Sequence, residues 1–315
     1  MTGNLPSAPT EPTTVSPTTQ PSTAVSAPPV TVAVNLAGVV EHPGLDGNPY
    51  LVDADGRPYL PVGDSGVVLG VELGDSVFAF DAEHASPAVS LVHPEQPARH
   101  SLTAFACLGN RVTVRGGAAS GARGAVLGKR GELGRVLAWF PPGVRESLVP
   151  GDPVAVRGHG QGAELPPALA AAGGRVLNVD PAVLDRLPVE IGDGGLSAGV
   201  RGIVGSALIG NGIGRPAHQW NLDVQVDADG AAALGLAGLL LGDLLAVRDL
   251  DVRHNAGYRR GWTTIGVVVT TTSPRPGHGV GLMPILCVPA GHASLRVEPD
   301  AHTGVTAALL GSLDD

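Results

Sequence analysis

The chain has 315 residues and a mass of 31.6 kDa, 43% hydrophobic but only 3% aromatic, with 46 Gly and 28 Pro; that composition excludes a body of long helices and asks for a core of Val, Leu, Ile and Ala shared among short elements. Twenty basic against 29 acidic side chains leave a net charge of −9, and without a cationic stripe this argues against a nucleic-acid partner. Two cysteines build neither a disulfide framework nor a CxxC zinc pattern, and the longest apolar stretch, Ala231 to Leu241, is too short and Gly-interrupted to span a membrane, so the expectation is a soluble, cytoplasmic protein.

Residues 1–30 are mostly Pro, Ser, Thr and Ala; such a segment cannot bury enough apolar area to offset its ordering entropy and reads as a disordered tail without signal-peptide character. From Val32 onward the runs VTVAVNLAGVV, VVLGVEL, SVFAF, RVTVRG, AVLG, RVLAWF and PVAVRG, bounded by turn formers, read as strands. A Gly-Asp turn recurs at Leu73-Gly74-Asp75, Pro150-Gly151-Asp152 and Leu241-Gly242-Asp243, with Gly supplying φ > 0 and Asp capping backbone N–H groups before the next strand. Helical signals are confined to Leu165–Ala172, Asp180–Leu187 and Ala231–Leu240. The fold class is mainly β (α+β): two β-rich lobes of short barrel-like strands, 31–196 and 197–315, with a few short helices.

The densest polar stretch is Arg248-Asp249-Leu250-Asp251-Val252-Arg253-His254, followed by Tyr258, Arg259, Arg260 and Trp262. If Leu245 to Val252 is extended, Asp249 and Asp251 share one face while Leu250 and Val252 face the core. Paired carboxylates beside a His can hold a divalent metal or run acid–base chemistry; the competing reading is a solvated edge strand with arginine counter-ions.

Gly277-His278-Gly279 lies in a loop between two apolar strands, and Gly158-His159-Gly160 repeats the pattern. Flanking glycines let a ligand approach while a fixed loop presents the imidazole. Gly210-Asn211-Gly212-Ile213-Gly214, ahead of Arg215, lacks nucleotide-fingerprint spacing and reads as a candidate anion nest. Asn221, Asp223 and Gln225 alternate onto one face beyond it. Cys107 lacks a sequence partner that would activate a thiol, and a buried structural role competes with a place in a pocket. Cys287 reads as core.

Taken together, CLGN at 107–110, GAASGARGAVLGKRG at 117–131, VPGDPVAVRGHGQG at 149–162, GNGIGR at 210–215, LGDLLAVRDLDVRHNAGYRRGWTTIGVVV at 241–269 and PGHGVG at 276–281 resemble the bacterial and archaeal family known as domain of unknown function 4438. The resemblance runs from about residue 35 to 290 and implies a β-rich two-part fold without an established activity. It also implies a His-Gly-Gly segment and a further His where this chain has Arg130-Gly131-Glu132 and Arg135. An Asp-Tyr-Asp run is implied at Asn221-Leu222-Asp223, and a His-Ser/Gly-Asp run near Thr271 and Thr272. Asp223, Asp249, Asp251, His254 and His278 are retained.

Two functional expectations follow. In the first, the chain is an enzyme for acid–base hydrolysis or isomerisation of a small polar metabolite, with or without a divalent metal. Asp249, Asp251, His254 and His278 are then catalytic, while Asp223, Asn211, Gly212, Gly214, Arg215, Tyr258, His159 and Cys107 line the ligand. No nucleotide, flavin or pyridoxal signature is present. In the second, the chain is a non-catalytic ligand-binding or structural module that forms a homo-oligomer. Convergence of Asp223, Asp249, Asp251, His254 and His278 in one pocket separates the two.

Overall fold

The structure is a computed structural model that describes Met1 and residues 32–45 and 48–313; apart from Met1, the expected tail lies outside the described residues. In chain order the first half runs β1 (Val34–Val40), β2 (Leu51–Val52), β3 (Pro58–Tyr59), β4 (Val89–Val92), α1 (Gln96–Phe105), β5 (Arg111–Val114), β6 (Arg123–Arg130), β7 (Arg135–Trp139), α2 (Pro142–Arg145), β8 (Pro153–Gly158), α3 (Pro167–Ala171), β9 (Arg175–Val176) and α4 (Pro181–Leu184). The second half adds β10 (Val189–Gly192), β11 (Gly195–Val200), β12 (Gly202–Gly205), β13 (Leu222–Val224), α5 (Ala228–Ala233), β14 (Leu244–Asp251), β15 (Gly257–Val268), β16 (Val280–Val288), β17 (Ala293–Val297) and α6 (Ala307–Gly311). No helix among the described residues is long and apolar enough to cross a membrane.

Period-two alternation shapes β1, β5 and β8 of the first half, whereas β4 and β7 are buried at every residue. Strands β1-β4-β7-β6-β5-β8 close into a six-stranded barrel, filled by Val112, Val114, Val126, Val136, Val154, Val156 and Phe140, all buried. Arg111 and Arg157, one step along their strands from these valines, are exposed.

The second half follows a different rule. Strands β12-β14-β15-β16-β13, with β9 against β16, form a six-stranded sheet. Leu244, Ala246, Ile265, Val267, Met283 and Ile285 pack in one cluster with Leu127, Leu137 and Trp139 of the barrel. Leu245, Val247, Val268, Leu282 and Cys287 join Val71, Val77, Leu236 and Leu239 in another. With both faces covered, alternation disappears, and all nine residues of β16 are buried. The halves share this core, and Thr31–Asp315 form one unit. A smaller sheet, β10-β11-β17, completes the mainly β architecture.

Two expected strands are not formed. VVLGVEL (67–73) and SVFAF (76–80) run as turns and isolated bridges, because Gly70 and Gly74 have positive φ and break extension, yet Val71 and Val77 are still buried. The expected helix at Ala231–Leu240 begins earlier, where Asp227 accepts the Gly230 N–H at 2.7 Å, and the chain turns at Gly235, φ 72. Asp180 caps α4 as its sequence suggests, accepting from Ala182 N at 3.0 Å.

The three Gly-Asp turns are one device used three times. Gly74, Gly151 and Gly242 have φ of 95, 93 and 97, and Asp75, Asp152 and Asp243 accept the N–H groups of Glu72, Val149 and Leu240 at 2.8, 3.0 and 2.9 Å. Asp243 is fully buried and also accepts from Thr303 N at 3.0 Å. It thereby ties the C-terminal segment to the start of β14. Asp243→Ala strands these donors, and a urea titration is expected to show a loss of about 3 kcal/mol.

Lys129 of β6 is buried without a carboxylate partner among the described residues, its Nζ donating to Asn178 Oδ1 at 2.7 Å and to the His218 carbonyl at 2.6 Å. Burial pushes its pKa down to about 8. Above that value the unfolded chain still holds the proton that the native state has released, so this lysine makes stability rise with pH. Burial raises both Cys107 and Cys287 to about 11, an opposing effect that begins near pH 9 where unfolded thiols ionise. Lys129→Met is therefore expected to flatten the rise of urea midpoint between pH 8 and 9.

Candidate metal centre

The polar centre of the molecule forms where the doubly covered sheet ends. After β15 the chain continues as Val269, Thr270 and Thr271, and the segment 83–86 lies alongside it. His84 N donates to Thr272 O at 3.3 Å, Ala85 N to Thr271 Oγ1 at 2.9 Å and Ser86 Oγ to Val269 O at 2.7 Å. This places Glu83 and His84, the latter at φ 46, a conformation a non-glycine residue rarely adopts. Asp223 comes from β13, paired opposite Gly281 of β16. His278 comes from the loop joining β15 to β16, where its N–H turns back to the Arg275 carbonyl at 3.0 Å.

One ligand-type atom each from Glu83, His84 and His278 lie within 4.8 Å of one another, and Asp223 Oδ2 stands against the two imidazoles. His84 Nε2 lies 3.1 Å from His278 Nδ1, 3.5 Å from Asp223 Oδ2 and 3.7 Å from Glu83 Oε1; His278 Nδ1 lies 3.0 Å from Asp223 Oδ2. Glu83 Oε1 and Asp223 Oδ2 are buried without a hydrogen-bond partner, the latter contact lacking hydrogen-bond geometry. The opposite atom of three of these groups is occupied. Glu83 Oε2 accepts from Tyr59 Oη at 2.7 Å and Ser273 Oγ at 2.9 Å, Asp223 Oδ1 accepts from Asn221 Nδ2 at 3.0 Å, and His84 Nδ1 lies 3.3 Å from Thr270 Oγ1.

This is the pattern of an outer shell that aims inner ligands at a common point. With bonds of about 2.1 Å, a tetrahedral ion separates its ligands by about 3.4 Å; the contacts of His84 with Glu83, His278 and Asp223 and of His278 with Asp223 run from 3.0 to 3.7 Å, while Asp223 lies outside the group that Glu83, His84 and His278 form within 4.8 Å. The donor set, two imidazoles and two carboxylates, suits a borderline divalent ion.

The electrostatics agree. Burial raises Glu83 and Asp223 above the carboxylate range, and burial with the nearby Arg130 and His278 charges holds His84 well below the usual imidazole value. A neutral His84 keeps the lone pair that ligation needs. Burial, and then its bond to Glu83, pushes the Tyr59 phenol up, so it stays a donor. Burial falls off beyond His278: the side chains of His278, Glu132 and Arg275 are 8%, 25% and 41% exposed. Glu132 Oε1 lies 3.5 Å from His278 Nε2 and accepts from Asn211 Nδ2 at 3.1 Å.

Of the residues singled out from sequence, Asp223 and His278 form the cluster and Asn211 joins it through Glu132. Asp249, Asp251 and His254 do not. A bulge between Arg248 and Leu250 puts Asp249 at φ 62, where it accepts the Gly261 N–H at 2.7 Å and no longer shares a face with Asp251. Asp251 is held by Arg253 and Arg259 at 2.9 and 3.1 Å. Its partial burial works against ionisation, but these bonds lower it to about 2. His254 is exposed in the bend that follows β14. The solvated, arginine-paired reading describes this stretch.

Nor is the Gly210–Gly214 loop an anion nest. The N–H groups of Gly210, Asn211 and Gly214 are taken by the carbonyls of Asp223, Gly277 and Ala256 at 2.9, 2.8 and 2.7 Å. Gly212, φ 100, has no room for a Cβ, which would lie 2.4 Å from Asn221 O, whereas Gly214 is a turn residue in open space. Arg215 stacks on Trp220 with 4.8 Å to the ring centroid, and Tyr258 is exposed, its hydroxyl on Ile209 O at 3.3 Å. His159 pairs with Asp180 at 3.0 Å. Cys107 is buried, in keeping with its structural reading. Sequence reasoning missed Glu83 and His84; their one signal is an adjacent acid and imidazole between apolar runs.

A barrel joined to a doubly covered sheet, with a buried cluster of two imidazoles and two carboxylates at the sheet's end, defines a two-part β protein with a candidate metal centre. The chain belongs to the DUF4438 family: its N-terminal domain matches residues 50–185 and its C-terminal domain residues 186–307. Among solved structures, the crystal structure of TM1086 is similar at a TM-score of 0.80 and 29% sequence identity, covering 87% of this chain and 95% of that one. No curated protein matches the sequence.

Two buried carboxylate oxygens facing each other's imidazoles without donors cost native stability when no cation sits among them. Asp223→Asn is expected to raise the thermal midpoint of chelator-treated protein at pH 7.5 by a few degrees, as read by calorimetry; a lowered midpoint would assign Asp223 a purely structural role.

Proposed function

We propose that the chain is an acid–base enzyme that holds one divalent metal ion among Glu83, His84, Asp223 and His278 and hydrolyses or isomerises a small polar metabolite. The observation that carries this reading is the convergence of one atom each from Glu83, His84 and His278 within 4.8 Å, with Asp223 against the two imidazoles, while the opposite atoms of Glu83, Asp223 and His84 are engaged by Tyr59, Ser273, Asn221 and Thr270. A bound divalent ion supplies Lewis acidity toward a carbonyl or a bound water.

The protein's own groups supply the rest. Glu132, beside the His278 Nε2 edge and partly open to solvent, is placed to accept a proton from substrate or water. Arg275, 3.9 Å from Glu132, gives the entrance a cation that favours substrates carrying a carboxylate or other anionic group. Buried walls on the remaining sides exclude bulk water, which strengthens each of these interactions.

Metal analysis after dialysis against Zn²⁺, Mn²⁺ or Ni²⁺ is expected to give one ion per chain, with a saturable rise in thermal midpoint. His84→Ala and His278→Ala should both lose the ion and the rise. Asp251→Ala should keep both, because Asp251 is committed to Arg253 and Arg259. Less than a tenth of an ion per chain in the unaltered protein would overturn the reading.

A further inference from the structure

The outer wall of the barrel holds a second cluster, unrelated to the metal centre. Along β5 and just beyond it, Val112 and Val114 are buried while Arg111 and Arg115 are exposed and Thr113 is half-buried. Strand β8 alternates in the same sense, with Val154 and Val156 buried and Arg157 exposed. The register pairs Val112 with Val156 and Thr113 with Ala155, so Arg111 falls opposite Arg157. On the other side of Arg157 stands Asn35 of β1. The small residues Thr113 and Ala155 form the floor of a hollow of about 330 Å³, and Asn35, Arg111, Arg115 and Arg157 form its rim.

Nothing within the described residues neutralises this rim. No carboxylate there lies within ion-pair distance of Arg111, Arg115 or Arg157, and the one side-chain contact is Arg157 Nη1 to Asn35 Oδ1 at 3.5 Å. Yet carboxylates are in excess, 29 against 20 cations, and elsewhere Arg130, Arg135, Arg145, Arg253 and Arg296 each have one. Like charges opposite one another on neighbouring strands destabilise a sheet. Cations on an outer strand commonly guard against edge-to-edge pairing, but this barrel is closed and its β5–β8 seam has no edge to guard.

We propose that this hollow binds the phosphoryl group of a small phosphorylated metabolite. Guanidinium forks from Arg111, Arg115 and Arg157 can each donate to two oxygens of a tetrahedral phosphate and relieve one another's repulsion through it. The Asn35 amide and Thr113 hydroxyl add donors, and the Ala155 floor leaves room for the group.

The test is calorimetric titration and thermal shift of the full chain with ribose 5-phosphate, inorganic phosphate and a short oligothymidylate, in unaltered protein, in R111Q/R157Q and in H278A. Ribose 5-phosphate is expected to bind saturably to the unaltered protein and to H278A alike, which separates this site from the metal centre. R111Q/R157Q should bind it at least about tenfold more weakly, while its midpoint without phosphate stays equal or rises, since the facing charges are gone. Equal affinity in the double variant, or no saturable binding to the unaltered protein, overturns the proposal. So does a fallen phosphate-free midpoint, which would mark the arginines as structural. Binding of oligothymidylate alone, lost steeply with salt, overturns it in favour of a polyanion surface.

Discussion

A sheet covered on both faces has one place for polar side chains, and that constraint organises this molecule. Strands β14, β15 and β16 lie between the barrel wall and the irregular segments carrying Val71, Val77, Leu236 and Leu239. Within them a polar group survives only if satisfied locally, as Thr264 is by donating to Leu250 O at 2.8 Å. Where β15 runs out, Thr270 and Thr271 turn the same buried environment to another use. Their hydroxyls engage His84, Gly281 and Ala85, anchoring ligating groups in a low-dielectric setting where an unpaired carboxylate is costly. The low dielectric and the acceptor cluster therefore come from one architectural cause.

Glycine serves this arrangement through close backbone approach. A Cβ on Gly210 would lie 2.1 Å from Gly277 O, and one on Gly279 would lie 2.0 Å from Val224 O. The loop before β13 and the loop carrying His278 thus pack backbone to backbone, which sets His278 beside Asp223. Gly-rich motifs that look like anion cradles in the sequence act here as contact surfaces between loops.

This explains what could be read without the structure. The barrel strands β5 and β8 were legible because one covered face leaves an alternating pattern, as in RVTV and PVAVRG, and the Gly-Asp turns because their chemistry is local. Asp223 and His278 were legible because each sits beside a Gly-anchored motif. The acidic stretch around Asp249 and Asp251 misled because a bulge is invisible in spacing and because Arg253 and Arg259 had to be placed in space before they could be recognised as partners. Glu83 and His84 lay hidden for the opposite reason: their partners Thr270, Asp223 and His278 are more than 130 residues away in sequence, and only the fold brings them together.

The departures from the family resemblance acquire a physical meaning in this setting. Arg130 and Arg135 stand where the resemblance implies imidazoles, and both reach Asp64, with Arg130 also on Glu132 and Arg135 on Glu41 at 2.6 Å. Counting Arg275 with them, three guanidiniums face the five carboxylates of Glu41, Asp64, Glu83, Glu132 and Asp223. Positions around the cluster can therefore change from imidazoles to guanidiniums while Glu41, Asp64 and Glu132 are each paired. Glu83, His84 and His278 have no such latitude, because each contributes an atom to the group itself, with Asp223 against its two imidazoles.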